Sequence, residues 1–92
     1  MDAIMDAQFS DKLSVLGKLE SNNSEFARMV RNAKNAVLAY LIQHYRQRIP
    51  TKQIMEYVKH DDGAILRALH HLHRADLIDY TPVAGFRSPG AA

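Results

Sequence analysis

The chain has 92 residues, 47% apolar and 24% charged, the balance of one globular domain with a small core. It has no cysteine, which excludes disulfide scaffolds, cysteine-bound zinc and thiol nucleophiles together. The net charge of +2 hides an uneven distribution. Residues 1–25 set Lys12 and Lys18 against Asp2, Asp6, Asp11, Glu20 and Glu25, a balance of −3. Residues 26–50 hold Arg28, Arg31, Lys34, Arg46 and Arg48 with no acid, and residues 51–80 set four bases against five acids. A phosphate-binding surface has to draw on the middle segment and on selected later residues. No apolar run has the length of a membrane span, and Met1-Asp2-Ala3-Ile4-Met5-Asp6 lacks the basic-then-apolar pattern of a secretion signal. A cytoplasmic protein that does not enter membranes is expected.

In chain order, Ser10 is placed to cap a first helix in which Phe9, Leu13, Leu16 and Leu19 recur at helical spacing, with Gly17 weakening it. Residues 1–24 thus read as a helical extension. Ser21-Asn22-Asn23-Ser24 is a break, because these side chains compete for backbone hydrogen bonds. Asn22 with Glu25, or Ser24 alone, is the expected start of the next helix. That helix, about 25–48, carries Phe26, Val30, Ala33, Val37, Leu41 and His44 on one stripe, widened by Met29, Tyr40 and Tyr45. Leu38 and Ile42 lie toward a second side, so contact with more than one element or with a second subunit is expected. Pro50 should end it.

Thr51 reads as the cap of a short helix whose inner face is Ile54, Tyr57 and Val58. Lys59-His60-Asp61-Asp62 is a polar turn. A helix over about 62–75 follows, with Ile65, Leu69 and Leu72 inward and Leu66 at the margin. Residues 77–81 alternate as a short strand, Pro82-Val83-Ala84-Gly85 turns, and residues 86–88 return. Residues 89–92 carry no pattern and read as a loose tail.

The order of long helix, short helix, polar turn, amphipathic helix and hairpin is similar to winged helix-turn-helix domains. The matching residues are Pro50-Thr51-Lys52-Gln53-Ile54, the run Ile65-Leu66-Arg67-Ala68-Leu69-His70-His71-Leu72 in the recognition-helix position, and Ala75-Asp76-Leu77-Ile78-Asp79-Tyr80 leading to the wing. The resemblance implies a mainly α fold with a small β-hairpin over residues 25–88. It leaves function open, because winged helices bind DNA, RNA and proteins alike.

At about 100° per residue, with Ile65 inward, Gly63, Arg67, His70 and Arg74 point outward and His71 sits beside them. Arginine bridges phosphate or guanine through two parallel hydrogen bonds, so the Arg67–Arg74 line suits a groove in double-stranded DNA. Lys52 and Gln53 are placed to hold backbone phosphate, and Arg87 to act from the wing. The expected function is a DNA-binding transcriptional regulator, or the DNA-binding module of a larger protein. Each element also has a plainer role: Arg67 and Arg74, like Arg28, Arg31 and Lys34, as a solvated helix face, and Asp61 and Asp62 as helix caps. The acidic tip and the two-sided helix also fit a protein-interaction module, and residues 26–48 offer a homodimer surface. Among His60, His70, His71 and His73, the pair His70 and His73 has a helix-compatible spacing, but the two diverge by about 60° around the helix and neither a cysteine nor an acid at ligand spacing joins them; neither a phosphate loop nor a nucleophile motif occurs. A non-enzymatic protein without cofactor or metal is expected.

Overall fold

The computed structural model describes residues 6–81 and 84–88, with side chains from Leu13 onward. Among these residues four helices precede one hairpin: α1 (Asp6–Asn22), α2 (Ser24–Gln43), α3 (Thr51–Tyr57), α4 (Asp62–Arg74), β1 (Asp79–Thr81) and β2 (Gly85–Arg87). The fold is therefore mainly α with a small antiparallel hairpin. The side chain of Phe9, residues Pro82 and Val83 of the turn, and residues 89–92 lie outside the described set. No helix among the described residues is long and apolar enough to cross a membrane.

α1 begins before Ser10, which lies within the helix rather than capping it. A single residue, Asn23, divides α1 from α2. Its extended backbone ends one helix, and its side chain caps the next by accepting from Phe26 N–H at 3.0 Å. The expected caps, Asn22 and Ser24, fall to either side of it. α2 then buries Phe26, Val30, Ala33, Val37 and Leu41, the stripe read from the sequence. It ends at Gln43, five residues short of 48. His44 is its C-cap, and a tight turn closed by Gln47 N–H on the His44 carbonyl (2.8 Å) reverses the chain. The early stop brings Ile49 into register with the hairpin, where it exchanges two hydrogen bonds with Phe86 (2.6 and 2.9 Å). Tertiary pairing overrides the helical continuation that the residues permit. Tyr45, expected on the inner stripe, is left 44% exposed.

Pro50, not Thr51, caps α3: its carbonyl accepts the first helical bond from Ile54, and no side chain contributes. Ile54 and Val58 are buried as their spacing requires, but Tyr57 is 60% exposed, its ring stacked at 6.2 Å on Tyr40 of α2. Asp61 caps α4 through Ala64 N–H at 3.1 Å, and Asp62 adds a negative charge to the first turn. α4 buries Ile65, Leu69 and Leu72, and also Leu66, which is inside rather than marginal. It ends in two nested hydrogen bonds, Asp76 N–H to His73 and Leu77 N–H to Leu72, with Asp76 left-handed at φ 59°. The first strand is shorter than the sequence implied, β1 starting at Asp79, and β2 spans Gly85–Arg87, one residue earlier than expected. Tyr80 pairs with Phe86, the two rings 4.7 Å apart, and Phe86 seals the core. α2 and α4 form the central packed pair, and α1 lies against both.

Candidate nucleic-acid interface

The polar face of α4 is not open along its length. Leu16 of α1 reaches Gly63, where a Cβ atom would come within 3.1 Å of the Leu16 methyl and of the Asp61 carboxylate. One turn on, the Arg67 guanidinium lies against α1 beside Gly17. Arg67 Nε–H donates to Glu20 at 2.6 Å. His71 Nε2 lies 2.9 and 3.1 Å from the two Glu20 oxygens and donates when that nitrogen carries the proton. Arg67 is 20% exposed and Glu20 22%, so this is a half-sheltered triad rather than a surface ion pair. Burial of the Glu20 carboxyl alone would raise its pKa. Hydrogen bonds from Arg67 and His71, with their charge, outweigh burial and hold it below the ordinary carboxylate value. The expectation that Arg67 and His71 face outward is therefore corrected: α1 takes that edge of α4. His70 stays half-buried, edge-on to His71 at 6.4 Å, and Arg74 is exposed near the end of the helix.

The other candidates divide in the same way. Lys52 is exposed at the start of α3. Gln53 is committed to the α2–α3 seam, where its amide donates to the Tyr40 hydroxyl at 3.2 Å. Arg87 pairs across the hairpin with Asp79 at 3.2 Å. The Ile49–Phe86 bridge is antiparallel, so it sets Arg48 opposite Arg87 on the face away from the core. Arg48 Nη1 and Arg87 Nε are both shielded from solvent and find no hydrogen-bond partner among the described residues. Arg48 was not singled out in the sequence, because its placement depends on a bridge between segments far apart in the chain. Glu20 was missed for the same reason. On α2, Arg28 and Arg31 are exposed on the side away from the core, and Lys34 is half-buried.

His73 stands edge-on to Tyr80 at 6.3 Å, and no three His, Asp or Glu side chains converge to hold a metal ion among the described residues. A shallow groove of about 300 Å³ runs between α2 and α3 past Tyr40, Tyr57 and His60. A second lies beside Pro50, Lys52 and Glu56. No protein-family model matches the chain, and neither a curated protein nor a solved structure matches it.

Proposed function

We propose that residues 24–88 form a winged helix-turn-helix and that the protein binds double-stranded DNA, as a transcriptional regulator or as the DNA-binding module of a larger protein. The observation that carries this reading is the tie between Ile49 and Phe86. It adds a third extended segment to the hairpin, so that one pairing site holds the wing to the chain entering α3 and α4. Arg48 and Arg87 are then brought side by side at the wing, while Lys52 opens α3. Basic groups at the wing and at the start of the helix preceding α4 are of the kind that backbone phosphates require. Arg74 is the basic group of α4 that remains exposed.

The expected behaviour is binding of random duplex by the full chain, on the order of 1–100 µM at physiological salt and tighter at low salt. Lys52→Ala and Arg74→Ala should each weaken it several-fold in a fluorescence-anisotropy titration. A full chain that leaves duplex unbound at low salt, or binding indifferent to both substitutions, removes the reading.

A second reading has its own observation. The recognition-helix position already engages a protein helix, α1, through Leu16 and Glu20. A protein-interaction module would use α4 in that manner, with a partner recovered free of nucleic acid. Under either reading a homodimer through residues 26–48 would rest on Ile42 and Tyr45, which remain exposed near the end of α2. Sedimentation of the full chain, with Ile42→Glu beside it, decides that point.

A further inference from the structure

α1 places a carboxylate where a DNA-binding α4 would need a phosphate. Glu20 offers two anionic oxygens to Arg67 and His71, at 2.6 Å and at 2.9 and 3.1 Å. A phosphate group makes the same demand on those donors. α1 and α4 cannot share a groove: the major groove is about 12 Å wide and one helix is about 10 Å across. The seam that holds α1 is also weak. None of its described side chains belongs to the buried core, Leu13 and Leu16 only pack against it, and Gly17 lowers the helical tendency of α1 opposite Arg67. Asn23, the one residue between α1 and α2, is a ready hinge.

We infer that Arg67 and His71 form a binding site for a nucleic-acid phosphate, that Glu20 is its resident occupant, and that α1 is a cover displaced from α4 when duplex DNA binds. This rests on the DNA-binding reading and adds its regulation. The polyanion offers many phosphates to the two donors that a single carboxylate now occupies. Opening exposes Gly63, Arg67 and His71 together on one line of α4.

The test uses the full-length chain and a random duplex at low salt, read by anisotropy and by hydrogen exchange of the α1 amides. Glu20→Gln keeps the shape of the side chain and removes its charge, and should tighten binding on the order of tenfold. Glu25→Gln changes the net charge equally from an exposed site on α2, and should tighten binding far less. Adding Arg67→Gln to Glu20→Gln should abolish the gain. Gly17→Ala strengthens α1 without a clash, its Cβ falling 3.5 Å from the Arg67 guanidinium carbon, and should weaken binding several-fold. Duplex should speed exchange in α1 of the parent. If Glu20→Gln gains no more than Glu25→Gln, or α1 exchange is unchanged by bound duplex, the cover is refuted while DNA binding stands. If none of these proteins binds duplex, the DNA reading falls and takes this inference with it.

Discussion

Gly85 holds the wing to the rest of the chain by having no side chain. Its φ of +100° is a region that L residues avoid. A Cβ there would strike the Ile49 carbonyl oxygen and lie 2.6 Å from Pro50 Cα, both backbone atoms fixed by the Ile49–Phe86 bridge. Gly85→Ala should therefore cost about 3 kcal/mol or more, lowering Tm by about 12 °C or more in a thermal melt. Asp76 presents the opposite case. It occupies the left-handed position of the α4 C-cap, where glycine carries no penalty, and its backbone supplies the capping bond. Asp76→Gly should raise stability by about 0.5–1 kcal/mol. Glu20 sets a pH dependence. Its folded pKa lies below its ordinary value of 4.5, so its ionised form is favoured by folding. That contribution is whole above the ordinary value and is lost as pH falls through the lower folded one. Glu20→Gln should accordingly lose less stability than the parent in denaturant titrations carried down through that window. An identical acid response in both would remove the triad as a source of stability.

At the scale of elements, α2 and α4 were legible because their stripes are local: Phe26 to Leu41, and Ile65 to Leu72, repeat every three or four residues and bury themselves against each other. Asp61 was legible as a cap, since an acid before a helix has one local use. The end of α2 was not, because nothing between Gln43 and Pro50 forbids helix. Only the demand of Phe86 for a strand partner stops it. The site was half legible for the same reason. Arg67 and His71 were marked as polar and outward on their own helix, but their partner lies 47 and 51 residues away in a helix with a poor local signature. A long-range contact of a half-apolar helix leaves no periodic trace. The start of α2 also yields an element-scale prediction. Asn23→Ala removes the bond to Phe26 N–H and should destabilise by about 1 kcal/mol, measured in urea, with m unchanged if the fold persists.

For the whole molecule, charge placement matters more than the sum. The chain carries only +2 overall, yet its acids and bases are segregated along the sequence. Folding brings acidic Glu20 onto the basic edge of α4, while Lys52 at the start of α3, Arg74 at the end of α4, and Arg48 and Arg87 at the wing lie apart from it. With α1 displaced on binding, a duplex held through those four groups and Arg67 would release about one counterion per phosphate contacted, giving a slope of log K against log salt near about −4.5 in the parent and in Glu20→Gln alike. Adding Arg67→Gln to Glu20→Gln should lessen the slope by about 0.9. The slope separates the two proposed functions, because it counts phosphates rather than affinity. A protein-interaction module that touches DNA only through diffuse charge would show a shallow slope in all three proteins, with no step between them. A step that appears only when Arg67→Gln is added assigns one phosphate to Arg67, the residue that α1 covers until duplex binds.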